Sequence, residues 1–148
     1  LPRHIDVGIV TFAGSAQVAQ QATFDRAALI DAIDRIQMQR GTAIGSAMAF
    51  AAETFADAPF CARRVIDVSG DGPANSGRRT MLVRDELVAQ GFVINGIAIE
   101  GAIVSVTEFY RAEVIGGQGS FVITADGYAD YPRAIRRKLI AEVTRPGS

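Results

Sequence analysis

The sequence is poor in the residues that most often carry out chemistry: its 148 residues include one cysteine, one histidine and no tryptophan. Because Cys61 is alone, an internal disulfide and any cysteine-based zinc site are excluded. His4 is far in sequence from any serine or cysteine that would need it as a base, and no Gly-x-Ser-x-Gly motif occurs. We therefore expect that the chain is not an enzyme.

The sequence also lacks an excess of charge and a long apolar run. The sequence has sixteen acidic and fifteen basic residues, so nothing predicts a broad basic surface that would bind nucleic acid or anionic lipid. No apolar stretch approaches the length of a membrane span. With 49% apolar residues, the chain 1–148 suits a single domain with a sizeable core. One basic cluster is expected to be a solvated helix face: Arg133, Arg136, Arg137 and Lys138.

Stretches of two kinds alternate along the chain. Runs rich in Val, Ile and Phe predict strands, and apolar residues at helical spacing predict helices. The strand runs are nearly continuous, which is typical of parallel strands covered on both faces. The pattern predicts an α/β fold with a doubly wound, mostly parallel open sheet and helices on both faces. Strands are expected over 4–12, 63–69, 92–99 and 120–124, with a weaker antiparallel edge strand over 16–22; helices are expected over 25–38, 43–56, 78–90, 104–113 and 127–143.

The last predicted helix and one strand carry more detailed expectations. In 127–143, helical spacing predicts an apolar face made by Tyr128, Tyr131, Ile135 and Leu139. Asp67 comes two positions before the end of a strand, and we expect it to be held by a hydrogen bond or salt bridge, for example to an arginine.

Two loops contain oxygen-bearing side chains. "RGTAIGSAMAF" (40–50) places Thr42 at the start of an alanine-rich helix, and "SGDGPANSG" (69–77) places Asp71 just past a strand. In open α/β sheets ligands bind outside the carboxyl ends of the strands. A hydroxyl and a carboxylate are hard ligands that suit Mg²⁺, Mn²⁺ or Ca²⁺, with Mg²⁺ the natural candidate.

Each of these residues also has an ordinary structural explanation. Thr42 could cap its helix, because a threonine oxygen accepts the free amide hydrogens of a first turn. Asp71 in "GDGP" could be a turn residue, since Asp and Gly suit the backbone of turns.

The stretches "VGIVTFAG", "RGTAIGSAMAFAAETF" and "RRVIDVSGDGPANSG" together resemble the von Willebrand factor type A domain, and within it a bacterial branch of unknown function. The resemblance extends over nearly the whole chain. It implies a metal-ion-dependent adhesion site built from three loops: Asp-x-Ser-x-Ser after the first strand, a threonine that follows a glycine, and the aspartate of an Asp-Gly pair. Thr42 and Asp71 match the second and third loops. The resemblance implies supporting or loop positions at Gly41, Ser69, Gly72, Asn75 and Ser76.

The first of these loops is absent, because the chain opens at what resembles the second strand of the family. The resemblance therefore implies that the first, central strand is missing and that the core has a gap, filled by an upstream segment or by another copy. It also implies a protein partner that offers a carboxylate, a divalent cation that this chain binds weakly or not at all, and a periplasmic or secreted location.

Two other functions compete with this hypothesis. A degenerate scaffold would keep the fold, lack the metal and act by protein–protein contact. A phosphoryl-accepting regulatory domain would use Asp71 as acceptor, but it would need an acidic pair and a nearby lysine. The only lysine, Lys138, lies in the last predicted helix, which disfavours that alternative.

Overall fold

The fold was examined in a computed structural model, which describes residues 7–23, 25–34, 41–58, 60, 62–101 and 103–144. His4 and Cys61 lie outside the described residues, as does the end of the helix predicted over 25–38. The strands are β1 (Val7–Phe12), β2 (Ala16–Thr23), β3 (Arg64–Gly70), β4 (Phe92–Ile99) and β5 (Val122–Ala125). The helices are α1 (Arg26–Asp34), α2 (Ile44–Thr54), α3 (Thr80–Ala89), α4 (Val106–Phe109) and α5 (Tyr131–Thr144).

The strands form two separate sheets. β1 and β2 make an antiparallel hairpin, which is the edge pair expected from the sequence. β3, β4 and β5 form a parallel sheet in that order, with Asp67 opposite Asn95 in the β3–β4 register. Parallel neighbours require crossover connections, which the helices between the strands provide.

Helices cover both faces of the parallel sheet, as the near-continuous apolar runs predicted. Ile66 and Val68 of β3 face α2, α3 and α4 in the larger core, which also contains Ile44 and Val83. The opposite face packs against α5 through a smaller cluster of Ile97, Ile99, Ala125 and Ala134. The α/β class and the doubly wound arrangement are thus confirmed.

A groove separates the two sheets. β1 and β3 are not hydrogen-bonded to each other, so each presents an unpaired edge within the described part of the chain. The groove is open to solvent and has a cavity volume of only about 40 Å³. A gap left by a missing central strand stays a prediction. The groove is lined by Val10 and Phe12 of β1, by Ile44, Ala47, Met48 and Ala51 of α2, and by Ile66, Asp67 and Val68 of β3.

The apolar face predicted for the last helix is wrong in detail. Tyr128 precedes α5 in a short 3₁₀ turn (Tyr128–Asp130) and is 65% exposed, and Leu139 is 50% exposed. The fully buried positions are instead Ala134 and Lys138. The prediction that Lys138 belongs to a solvated basic face is therefore also wrong.

Lys138 is buried because it pairs with carboxylates. Its Nζ donates to Asp67 of β3 and, at 2.5 Å, to Oε2 of Glu142 one turn along the helix. The salt bridge expected for Asp67 is present, although its partner is a lysine and not an arginine. Burial raises the pKa of the Asp67 carboxyl even though Lys138 opposes that shift.

Candidate functional site

Three loops meet at one end of the molecule. The turn between β1 and β2 contacts the loop before α2, where the Ala43 amide donates to the Ala13 carbonyl at 2.7 Å. Gly41 has a φ of 94°, and a Cβ on it would lie 2.9 Å from the backbone of Gly14. Only glycine meets both conditions, so Gly41 sets the path of the chain immediately before Thr42.

Asn75 joins the loop before α2 to the loop after β3. The Thr42 amide donates to Asn75 Oδ1 at 2.9 Å, and the Asn75 amide donates to the Thr42 carbonyl at 3.0 Å. This reciprocal pair brings together two segments that are 33 residues apart in sequence. The loops that carry Thr42 and Asp71 are therefore neighbours.

A second set of contacts, in addition to the Thr42–Asn75 pair, holds the same two loops together. The Arg78 amide donates to Ser46 Oγ at 2.9 Å. A Cβ at Gly45 would lie 2.3 Å from the Arg78 carbonyl oxygen, and one at Gly77 would lie 2.5 Å from Ser46 Oγ. Glycine at both positions allows the backbones to approach closely.

The Thr42 hydroxyl is not used as a helix cap. α2 begins at Ile44, its N-cap residue is Ala43, and no side chain caps it. Within the described part of the chain, the only side-chain hydrogen bond that involves Thr42 is the one from its amide to Asn75. Thr42 is half-buried as a residue, and its hydroxyl is not engaged by a described side chain.

Asp71 is exposed at the end of β3, and its Oδ2 accepts a hydrogen bond of 2.6 Å from the Tyr128 hydroxyl. This bond is the main reason that the pKa of Tyr128 is raised. Two other carboxylates that follow the parallel strands are engaged locally. Glu100, after β4, accepts the amides of Val106 and Thr107 at the start of α4. Asp130, after β5, is bound by Arg133, which lowers the pKa of its carboxyl to about 2.

Two further tyrosines flank the end of β3, so all three tyrosines of the sequence lie there. Tyr131 donates from its hydroxyl to Ser69 Oγ at 3.2 Å. Tyr110 lies in the π-helical turn Tyr110–Val114 that continues α4, and a Cβ on Gly70 would meet its hydroxyl at 2.7 Å. That hydroxyl is buried and has no hydrogen-bond partner among the described residues. Burial raises the pKa of Tyr110, and the negative charge of Asp71 adds to the shift.

The remaining predicted site residues are placed as follows. Ser69 lies within β3, on the face toward α5, and is engaged by Tyr131. Gly72 has open space around it, and Ser76 is exposed. The predicted roles of all seven site residues stay predictions.

Tyr128 and Tyr131 were missed because their spacing was assigned to an apolar helix face. One signal could have located Tyr128: it follows a predicted parallel strand, and the carboxyl ends of parallel strands meet at one edge.

The two donor side chains are of a type that binds a hard divalent cation, but two side chains are too few to hold one by themselves. Thr42 and Asp71 offer one hydroxyl and one carboxylate, which are ligands that Mg²⁺ accepts, and Mg²⁺ commonly keeps several waters. In the described ranges, no three His, Cys, Asp or Glu side chains are grouped so that they could hold a metal ion. A cation at this position would therefore need oxygens from water, a partner or another segment.

The arrangement resembles several solved structures. The conserved hypothetical protein BatB from Bacteroides thetaiotaomicron is 16% identical with a TM-score of 0.70, and the match covers 95% of this chain and 80% of that chain. The SpRpn10 VWA domain is 12% identical with a TM-score of 0.71, covering 89% and 71%. Proximal thread matrix protein 1 from the mussel byssus, with a zinc-occupied MIDAS motif, is 19% identical with a TM-score of 0.71, covering 96% and 35%.

The fold is that of a von Willebrand factor type A domain, since the TM-scores of 0.70 and 0.71 over 95% and 89% of this chain show a shared architecture. The chain belongs to the family described as "Protein of unknown function (DUF1194)", which matches residues 12–147. No match was found among curated protein sequences. In the ranges that the structure describes, no helix has both the length and the apolar character needed to cross a membrane. A periplasmic or secreted location stays a prediction.

Proposed function

We propose that this chain is a non-catalytic, cation-dependent protein-binding domain. Thr42 and Asp71 would each supply an oxygen to a divalent cation, and the cation would accept a carboxylate oxygen from a protein partner. The observation that carries the proposal is the reciprocal hydrogen-bond pair between Thr42 and Asn75, which holds the two donor loops side by side. The zinc-occupied motif of the mussel byssus protein supports it by analogy of fold.

The surroundings of the two donors also support this function. Asp71 is exposed, so a partner can approach it, and the Thr42 hydroxyl has no competing hydrogen bond among the described residues. A bound cation supplies a fixed positive charge that attracts a carboxylate in a defined direction. With only two protein oxygens, we expect weak binding by these 148 residues, with a dissociation constant of about millimolar order.

Calorimetric titration with Mn²⁺ and Mg²⁺ tests the proposal. Asp71→Ala and Thr42→Val each remove one donor oxygen, and each is expected to weaken binding at least about tenfold, which corresponds to about 1.4 kcal/mol. Asp57→Ala is a matched control, because it removes an exposed carboxylate outside the site. Binding that is equally strong in Asp71→Ala and in the control would count against the proposed site.

The groove between β1 and β3 favours a second candidate, protein–protein contact without a metal. Both strand edges are unpaired among the described residues, and an extended segment inserted between them would satisfy their backbone groups and pack against Val10. We expect these 148 residues alone to self-associate or to fold poorly unless such a segment completes the sheet. Sedimentation velocity and thermal melting test this. A cooperative melt of a stable monomer would contradict it.

A further inference from the structure

The Tyr128 hydroxyl occupies the same carboxylate that the proposed cation would use. The hydroxyl donates to Asp71 Oδ2 at 2.6 Å, although the two residues are 57 positions apart in sequence. The Tyr128 side chain is 65% exposed, so little packing holds its ring in this position. The hydrogen bond is the main described interaction that keeps the ring over Asp71.

A carboxylate oxygen has two lone pairs, so a phenol proton and a cation can share it, but each brings positive charge to the same oxygen. The hydrogen bond from Tyr128 therefore makes Asp71 Oδ2 a weaker ligand. A divalent ion that binds through Oδ2 is expected to bind more tightly once Tyr128 has released this oxygen.

The turn that carries Tyr128 does not depend on this hydrogen bond. The Asp130 amide donates to the Gly127 carbonyl at 3.3 Å, and the Asp130 carboxylate binds the Asp126 amide and Arg133. Gly127 itself has a φ of 74°, which glycine adopts without strain. The hydroxyl can therefore leave Asp71 while the backbone of the turn stays in place.

We propose that Tyr128 is an internal competitor for the cation site: its hydroxyl holds Asp71 Oδ2, and a cation that binds through this oxygen favours release of the tyrosine. This inference rests on the proposed function and adds a means of regulating the same site. A partner that draws the Tyr128 ring away from Asp71 would raise the affinity for the cation, and the cation would in turn favour the released tyrosine.

Titration calorimetry with Mn²⁺ on the unmodified chain, Tyr128→Phe and Tyr131→Phe tests the inference. Tyr128→Phe keeps the ring and removes only the competing hydroxyl, so its affinity for Mn²⁺ is expected to rise about fivefold, the equivalent of one ordinary hydrogen bond. Tyr131→Phe deletes a phenol hydroxyl bound to Ser69 and not to Asp71, and its affinity is expected to change less than about twofold. Far-ultraviolet circular dichroism checks that all three proteins fold alike.

The outcomes separate this inference from the proposed function. Tighter binding in Tyr128→Phe that Asp71→Ala abolishes supports both, as does binding detected only after Tyr128→Phe. Equal or weaker binding in Tyr128→Phe, with binding still dependent on Asp71, overturns the competitor role and leaves the proposed function standing. Absence of Mn²⁺ binding by the unmodified chain and by Tyr128→Phe overturns both.

Discussion

Replacing Lys138 by methionine should reveal how far the last helix depends on one buried charge. The Lys138 side chain is 3% exposed and contacts two carboxylates, Asp67 and Glu142, whose side chains are 41% and 17% exposed. Methionine keeps most of the apolar stem and removes the cation, so the two carboxylates are left facing each other without a counterion. Removing one partner of a fully buried ion pair costs about 3–5 kcal/mol.

The expected loss for Lys138→Met is smaller than that range, because water reaches Asp67 from the groove. We expect a decrease of about 2–3 kcal/mol in the free energy of unfolding. With a slope of about 2 kcal/mol per molar, this lowers the urea midpoint by about 1–1.5 M. Unfolding followed by far-ultraviolet circular dichroism measures it. Arg137→Met, which removes an exposed cation from the adjacent position, is the control and should change stability by less than about 0.5 kcal/mol.

A second substitution tests the cause of the loss. Asp67→Asn in the unmodified chain removes a partner of Lys138 but also removes a carboxylate charge that burial disfavours, so it should change stability by less than about 0.5 kcal/mol. In the Lys138→Met background, the same substitution removes an unpaired carboxylate and should stabilise by about 1 kcal/mol. The gain from Asp67→Asn is therefore larger in the Lys138→Met background. An equal effect in both backgrounds would refute the assignment of the cost to an uncompensated charge.

The pH dependence of the free energy of unfolding also tests the role of the charge on Asp67. The pKa of Asp67 is raised above its ordinary 3.8 in the folded protein, so the folded state holds this proton more tightly than the unfolded state does. The associated stability is fully present below pH 3.8 and is lost as the pH rises through the raised pKa. Removing Lys138 raises that pKa further. The stability difference between the unmodified chain and Lys138→Met should therefore be smaller at about pH 4 than at about pH 7.

Three other substitutions test the loops and the buried tyrosine. Asn75→Ala removes the acceptor for the Thr42 amide and should lower the free energy of unfolding by about 1 kcal/mol. Hydrogen exchange of the Thr42 amide, measured by nuclear magnetic resonance, should become faster. Unchanged exchange would show that other contacts hold the loops together. Gly45→Ala places a Cβ 2.3 Å from the Arg78 carbonyl oxygen, so the free energy of unfolding measured in urea should fall by at least about 2 kcal/mol. Gly72→Ala is the control, because its Cβ meets no atom within 4 Å and should leave the free energy of unfolding unchanged. Tyr110→Phe removes a buried hydroxyl that has no partner among the described residues, so the free energy of unfolding should stay equal or rise by up to about 1 kcal/mol. A decrease of more than about 1 kcal/mol would reveal a partner such as a bound water.

Local sequence patterns were sufficient for most of the fold. The continuous apolar runs predicted parallel strands, and the structure has them within two residues at Arg64–Gly70, Phe92–Ile99 and Val122–Ala125. A strand is specified by residues that are adjacent in sequence, so its pattern is visible in a short window. Helix α4 is the exception in detail, since the segment predicted as one helix changes to a π-helical turn at Tyr110, which packs against Gly96.

The candidate site was only partly readable from the sequence. Thr42 and Asp71 were found because their residue types and loop positions match a resemblance, and the structure adds that Asn75 holds their loops together. The unmatched first loop left the number of cation ligands open. In the part of the chain that the structure describes, no group of three His, Cys, Asp or Glu side chains supplies the missing ligands.

By itself, the sequence determined the order of strands and helices, their parallel arrangement and the two loops that present hydroxyl and carboxylate oxygens. Tertiary structure alone decided that Lys138 is buried against Asp67, 71 residues away, and that Tyr128 covers Asp71, 57 residues away. The physical reason is that periodicity reports which face of an element avoids water, whereas the partner of a charge or a hydroxyl is set by which elements pack together. Lys138 is buried and Tyr128 is exposed, which is the reverse of what helical periodicity predicted for each. Each makes a polar contact with a residue far away in sequence.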